Sequence, residues 1–479
     1  MDGTLREGQA SSPISVVVVG GGLGGSACAA FLAWAGIDCV LMERHPSPRA
    51  RPRAWIVSPQ VVELMRGLGS AGEIAERGAA GAWHMVKTTT LADAPAGPPS
   101  EDESTRVSAG GAAVCDQDVL EDILRGHAIR HGADIRWGQT VTYLTPRPEG
   151  VDVYVEGSGS LRARYVVIAE GARAQLLAPL GITTTVPDGG SSTPEQEFDQ
   201  VLFRSRGLDT LMDGVPGNAF VCTDTGAMVF RRSLGRWQIQ RQGARITDVT
   251  RDIGDAAGRS VDTEVLDQST WTPSARAASR YRQGRVFLIG DSARSFPPSL
   301  GMGGNLAITD AHNLAWKLAW ILTGRAGEAL LDTYQQEREP VGTFIMNASI
   351  ALTRGHRVAD QLTIQLGLGY PPAASTALIG PGQHVTLNDP RLGSHIVGGR
   401  LPHRWLPDGR ATCDLTANDS FAALGSANLP DLPVPYTRIP DPDSRHDPDK
   451  VWLVRPDNHI AAHLHPDQIP SALTTILSN

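Results

Sequence analysis

The sequence predicts an α/β fold: a dinucleotide-binding, Rossmann-like domain interrupted by an antiparallel sheet. Three observations predict it. Gly20-Gly21-Gly22-Leu23-Gly24-Gly25 follows an apolar run and opens a helical pattern. Far downstream, Gly290-Asp291 and then Leu300-Gly301-Met302-Gly303-Gly304-Asn305 repeat that arrangement. Between the two, from about Pro187 to Thr272, short alternating runs are separated by Gly, Asp and Pro, the texture of antiparallel strands. One glycine turn suggests a phosphate cradle. Two suggest a single long cofactor, its pyrophosphate at the first turn and its redox ring at the second, which points to FAD.

The first unit is the most readable. Ile14 to Val19 is β-branched and apolar, as a strand buried on both faces requires. Small residues from Ser26 to Ala35 suit a helix packed close to a sheet, Gly36 ends it, and Cys39 to Met42 reads as a second strand closing at Glu43. The whole βαβ unit takes about thirty residues. In this reading Gly20 allows the tight turn, Gly22 the approach of pyrophosphate to bare backbone, and Gly25 close helix–strand contact. The amides at the helix start face the phosphates. Glu43 is placed to accept hydrogen bonds from the adenosine ribose.

Further along, the arginines at 49, 51 and 53 precede a helical pattern through Val61, Val62, Leu64 and Met65. A guanidinium there would clamp the pyrophosphate from the far side. Asp93 to Gly111 reads as a solvated loop, and Cys115 to about Gly132 as an amphipathic helix. Leu161 to Glu170 and Arg285 to Ile289 return to buried-strand patterns. Asp291 then sits at a strand's carboxyl end, where α/β sheets bind ligands. Gly301, Gly303 and Gly304 let a planar ring lie on backbone. From Asn305 a helix is expected to about Gly324, with Leu306, Ile308, Leu314, Leu318 and Leu322 on its buried side.

Composition excludes other classes. Among 479 residues the net charge is -8 and no basic stripe appears, so nucleic acid is not expected as a partner. No apolar run reaches the ~18 residues of a membrane span, and a cytoplasmic location is expected. Cys28, Cys39, Cys115, Cys222 and Cys413 are scattered and suit packing in a reducing compartment. His384, His395, His403, His459, His463 and His465 are irregularly spaced and read as solvated loop residues; no metal is expected.

These motifs resemble the FAD-dependent aromatic hydroxylases, the para-hydroxybenzoate hydroxylase-like class A flavoprotein monooxygenases. The resemblance rests on Gly20 to Gly25 with Glu43-Arg44, and on Gly290-Asp291 through Asp310-Ala311-His312-Asn313-Leu314-Ala315-Trp316-Lys317-Leu318-Ala319, covering roughly residues 14 to 340. It implies that Gly20, Gly22, Leu23, Gly24, Gly25, Glu43 and Arg44 bind the ADP half of FAD, with Arg53 on the pyrophosphate. It places Gln117 at a helix start near the cofactor and Asp291 on the ribityl chain. Gly303, Gly304 and Asn305 would hold the isoalloxazine, with Pro298 and Gly301 on its substrate side. Three positions depart from the family: Glu170-Gly171 for the usual Asp-Gly, Arg294 for histidine, and Gly304 for methionine or leucine.

The last hundred residues, with Gly398 to Leu406 and Lys450 to Ala461 around Arg455-Pro456-Asp457, resemble the thioredoxin-like tail of phenol and polyketide hydroxylases. No Cys-x-x-Cys occurs, so its role would be structural or interfacial. The implied organisation is an FAD-binding domain over 1–186 and 276–372, an inserted substrate domain over 187–275 and the tail over 373–479. The implied activity uses NAD(P)H and dioxygen to hydroxylate an aromatic, polyketide-derived substrate through a flavin C4a-hydroperoxide. Epoxidation, Baeyer–Villiger insertion and a non-catalytic FAD-binding scaffold are the alternatives. The Trp-x-Trp-x-Ile-Pro signature of flavin halogenases is absent. The cofactor carries the chemistry, so no motif demands a catalytic residue. His84, Arg232 and Arg241 are polar candidates near the pocket-forming segments, with structural roles favoured for each. Oligomeric state is not readable, and a homodimer stays open.

Overall fold

The computed structural model describes residues 13–48, 56–79, 84–98, 101–188, 190, 197–370, 385–416, 419–425, 428–432, 434–439 and 447–478. The apolar run Ile14–Val19 lies inside an eight-stranded sheet, with Cys39–Glu43 parallel on one side and Gly159–Ile168 parallel on the other. Val286–Leu288 and Asp134–Trp137 extend the parallel order outward. Val16, Val17 and Val18 have no exposed surface, as a strand covered on both faces requires. The strand Gly159–Ile168 also pairs at its start with a hairpin, Val141–Arg147 and Gly150–Val155, that the sequence reading did not separate.

Helix Leu23–Trp34 packs between Gln117–Arg130 and Gly303–Leu322. The last of these departs from expectation. It starts two residues before Asn305, and every residue from Asn305 to Ile321 is buried, so it has no solvent side. Its polar residues Asp310, Asn313 and Lys317 therefore enter the interior, where each needs a partner. No helix of the described residues is long and apolar enough to cross a membrane.

The alternating segment folds as a six-stranded sheet, in the order Glu264–Trp271, Phe198–Arg204, Trp237–Gln242, Ala227–Arg231, Ala219–Cys222 and Met85–Thr88. Its sixth strand comes from ahead of the 187–275 segment and pairs parallel to Ala219–Cys222. At four residues Met85–Thr88 is too short for alternation to announce it. One face, with Val201, Phe203, Phe220, Val229, Trp237 and Ile239, forms a separate core closed by helices Arg206–Leu211 and Val249–Ala257.

A third, four-stranded sheet orders Tyr436–Ile439, Phe421–Leu424, Val451–Val454 and Ile460–Leu464, and helix Ile469–Ser478 follows it. The described histidines here are largely packed rather than solvated. His459 stacks on Tyr370 at 4.2 Å and His463 on Trp452 at 3.7 Å, and His403 is buried. His384 lies outside the described residues. All five cysteines are free thiols, four of them buried.

Arg455 and Asp457 tie this last sheet to the FAD-binding half. Arg455 donates to Glu337 Oε1 and Oε2 at 2.7 and 2.8 Å and to Asp457 at 2.6 and 3.0 Å. Lys317 Nζ and Asn313 Nδ2 complete the cluster on Glu337 at 2.9 and 2.7 Å. Burial alone would raise the Glu337 carboxyl, but Arg455 and Lys317 outweigh it and hold it down to about 2. Burial pushes the Lys317 ammonium the other way, down to about 8.

Removing one member of a buried pair strands the other's charge. Arg455→Ala is therefore expected to lower unfolding stability by about 3–5 kcal/mol in urea titration. Arg410→Ala, which removes a surface partner of Asp408, should leave the midpoint unchanged. Because Glu337 titrates in the fold below its ordinary 4.5, its stabilisation is full above that pH and is lost as pH falls toward 2. Glu337→Gln should flatten that part of the acid-unfolding profile.

Candidate flavin and substrate site

The parallel register brings four strand ends level. Val19 lies beside Met42 and Ile168, and Ile168 beside Leu288, so Gly20, Glu43, Glu170 and Asp291 follow on one edge of the sheet. Gly20 has φ +107°, and a Cβ there would lie 2.4 Å from the Ala169 carbonyl oxygen. Gly25 is tighter still, since its Cβ would lie 1.8 Å from the Gly20 carbonyl oxygen. At Gly24 a Cβ would meet Ala307 and Ile289 at 3.4 and 3.5 Å, an ordinary contact distance. Gly22 differs from its neighbours: the nearest atom to its Cβ position is Glu121 Oε1, 3.9 Å away. At Gly303 nothing lies within 4 Å.

Both helices begin without a side-chain cap, at Gly22 and Met302, and neither carries an acid in its first turn. An uncapped helix start leaves amide donors for an anion or a carbonyl edge. Open backbone at Gly22 and Gly303, with donors at both, fits a long ligand that is anionic at one end and planar at the other. A small cleft of about 10 Å³, room for about one water, is bordered by Leu23 of one helix and by Gly304, Asn305 and Ile308 of the other, with Ile56 and Gln117.

Around this cleft the predicted residues have distinct positions. Glu43 accepts from the amides of Gly21 at 2.6 Å and His45 at 2.9 Å, which fixes its carboxylate at the first turn; Arg44 beside it is exposed. Gln117 begins helix Gln117–Arg130 and donates to Glu121 at 2.7 Å. Asp291 is exposed just after Gly290. Pro298 is also exposed, and it opens the short turn ending at Gly301. The Asn305 side chain is occupied by its own chain: it accepts from Ser58 N at 2.8 Å and donates to the carbonyls of Ile56 and Gly301 at 3.0 and 2.9 Å. It fastens the 56–58 segment to the second turn. Arg53 lies outside the described residues.

The second turn rests on a carboxylate to which the sequence reading assigned no role. Asp310 Oδ2 accepts from the Gly290 amide at 3.1 Å and from Arg294 at 2.6 Å, while Oδ1 accepts from Arg338 at 2.7 Å. Arg338 also donates to Thr309 at 2.7 Å. All four side chains are buried. Gly342 makes the space, because a Cβ there would lie 2.4 Å from Arg294 Nε. Arg294 thus turns inward, over the Tyr281 ring, as a structural partner of Asp310. Its signal in the sequence was an acid in the middle of an apolar helix.

Two other residues also prove structural. Arg232 Nε meets Asp116 Oδ1 at 2.7 Å, and Arg236 holds Asp116 at 2.6 Å and Asp118 at 2.8 Å. The turn of the six-stranded sheet is thereby latched onto the start of helix Gln117–Arg130. Arg241 pairs at 3.0 Å with Asp252 of helix Val249–Ala257, which packs on the sheet. His84 opens the edge strand, its carbonyl accepting from Asn218 and Ala219. Burial raises the Glu170 carboxyl, although the amides of Leu176 and Gln175 oppose it. Among the described residues no three His, Cys, Asp or Glu side chains group to hold a metal.

Known proteins match this arrangement. The FAD binding domain family matches residues 13–349. The tetracenomycin B2 monooxygenase-dioxygenase of Streptomyces olivaceus is 34% identical over 87% of this chain and 84% of its own. The aklavinone 12-hydroxylase DnrF of Streptomyces peucetius is 33% identical over 84% and 89%. In structure, aklavinone-11 hydroxylase in a ternary complex with FAD and aklavinone superposes with a TM-score of 0.84 at 26% identity, covering 98% of this chain and all of that one.

The glycine geometry separates two otherwise similar substitutions. Gly25→Ala drives a methyl into backbone and is expected to abolish soluble, cooperatively folded protein. Gly22→Ala has room and should leave the ligand-free melting temperature within about 2 °C, a shift of a few tenths of a kcal/mol. Calorimetry on both proteins checks this.

Proposed function

The chain belongs to the FAD-binding monooxygenase family, and we propose that it hydroxylates an aromatic polyketide, taking electrons from NAD(P)H and oxygen from dioxygen. The observation that carries the reading is the pair of uncapped helix starts at one end of the parallel sheet, with Leu23 and Gly304 bordering the same small cleft. Relatives named as tetracenomycin and aklavinone oxygenases support the substrate class.

In this reading the amides after Gly22 hold the pyrophosphate, with Leu23, Gly24 and Gly25 setting the helix behind them. Glu43 and Arg44 flank the adenosine ribose, and Arg53 takes the outer side of the pyrophosphate. Asp291 accepts from the ribityl hydroxyls, and Gln117 faces the same part of the cofactor. Gly303, Gly304 and the Asn305 amide meet the ring edge with the positive end of their helix, where it favours negative charge. The side chain of Asn305 keeps that turn in place. Pro298 and Gly301 border the substrate side, and the six-stranded sheet forms the roof. The thioredoxin-like tail serves as an interface, through Arg455 and Asp457. When bound, the flavin activates dioxygen for transfer of one oxygen atom to the ring. Arg294 supports no scaffold reading, because it is spent on Asp310.

Purified protein is expected to be yellow, and Glu43→Ala or Asp291→Ala should weaken FAD binding by about 10- to 100-fold, the worth of a hydrogen bond to a charged group. Turnover of a hydroxyquinone with NADPH or NADH under ¹⁸O₂ should add one labelled oxygen by mass spectrometry. A colourless protein indifferent to FAD, or a product labelled only from water, would sink the proposal.

A further inference from the structure

The two faces of the six-stranded sheet are chemically unlike. Its apolar face is closed by helices of its own module. By register, the opposite face carries Phe198, Gln200, Leu202, Met228, Phe230, Gln238, Gln240 and Trp271. Gln238 and Gln240 are only 6% and 8% exposed, although neither they nor Leu202 and Phe230 beside them belong to the module's own apolar core. The strand ending at Arg231 leads directly into the turn whose Arg232 and Arg236 grip Asp116, next to the cleft-lining Gln117.

The hydrogen bonds on this face fix which way each amide points. An indole N–H only donates, so the Gln200 atom that receives Trp271 Nε1 at 3.0 Å is its oxygen. The Gln200 nitrogen then donates to Ser269 at 3.2 Å. Gln238 presents its nitrogen to that same Gln200 oxygen at 3.0 Å and to the Gln240 oxygen at 3.4 Å. Gln200 Oε1 thus accepts twice and Gln238 Nε2 donates twice, while Gln238 Oε1 and Gln240 Nε2 are left as an acceptor and a donor on the same strand. Phe198 and Trp271 lie stacked at 4.4 Å at the end of the row. The ionisable neighbours on this face sit at its margins: Asp267 opposite Leu202, Lys87 opposite Val221, and Arg204 at its strand's end, paired with Glu264 at 3.9 Å.

We propose that Gln238 and Gln240 determine specificity by binding a neutral hydroxyl–carbonyl pair on the rim of a polycyclic aromatic substrate. This rests on the proposed hydroxylation of an aromatic polyketide. The Gln238 oxygen accepts from the phenolic hydroxyl, and the Gln240 nitrogen donates to the adjacent quinone carbonyl. A ring lacking the pair leaves both amides desolvated and unpaired, which is the kind of penalty that discriminates strongly. A carboxylate in that place would meet the Gln238 oxygen, and the cation on this face of the same sheet, Arg204, is already paired with Glu264 at the strand's end.

The test uses the FAD-loaded full chain and three probes: 1,8-dihydroxyanthraquinone, anthraquinone and anthraquinone-2-carboxylate. Dissociation constants are read from the perturbed flavin absorbance. The wild type should bind the dihydroxy compound at least about tenfold more tightly than the other two. Gln238→Leu and Gln240→Leu should each weaken the dihydroxy compound about tenfold and leave anthraquinone unchanged, with FAD content and melting temperature kept. Gln200→Leu, which frees the row to turn, should blunt the same preference. Wild-type protein without that preference, or FAD-loaded variants that lose both ligands equally or neither, would overturn the inference. Wild-type protein that takes up no FAD would instead overturn the function on which it rests.

Discussion

Asp310 carries a carboxylate into a helix that is buried along almost its whole length, and the second glycine turn is built on how that carboxylate is satisfied. Two guanidiniums and the Gly290 amide converge on it. Each charge has given up water, so each must keep its partner. The Gly290 amide belongs to the turn itself, which ties the strand end at Leu288 to the helix that begins at Gly303. This helix packs directly against the first one, Leu23–Trp34. Two anion-friendly helix starts are thereby held at one spacing before any ligand arrives. That preorganisation spares a bound cofactor the cost of arranging its own site.

The same device recurs wherever modules meet. Asp116, at the start of helix Gln117–Arg130, is shared by Arg232 and Arg236 of the six-stranded sheet. Glu337 is shared by Lys317 and by Arg455 of the last sheet. In each case one buried carboxylate takes two cations, at least one of them from another module. Such clusters contribute little net stability compared with apolar packing, but they are intolerant of displacement, because a shifted partner leaves a bare charge.

Much of this architecture was legible in the sequence, and the limits follow from physics. Ile14 to Val19 and the turn after it were readable because a doubly covered strand must be apolar and a tight turn must have glycine. Met85–Thr88 was not, since four residues carry no usable period. Helix Gly303–Leu322 was located, but its burial was underestimated: its leucines suggested one apolar side, while Asp310, Asn313 and Lys317 posed as a polar one. Their partners, such as Arg338 and Asp457, lie 28 and 144 positions from Asp310 and Asn313, a distance no local pattern spans. The packed histidines were misread for a related reason. An imidazole face stacks like an aromatic ring, and spacing along the chain does not reveal what it stacks on. Asn305 was rightly placed at the turn, yet its side chain fastens the chain to itself.

The central claim is that two helix starts, brought together by the strand register and by Asp310, hold one FAD by both ends. A crystal structure of the chain with FAD tests it most directly. The account predicts pyrophosphate oxygens within hydrogen-bond reach of the amides after Gly22, the isoalloxazine edge against the amides of Gly303 to Asn305, and the Asp310 contacts unmoved. A cofactor engaged at only one helix start, or a second turn rebuilt around it with Asp310 released, would contradict the account.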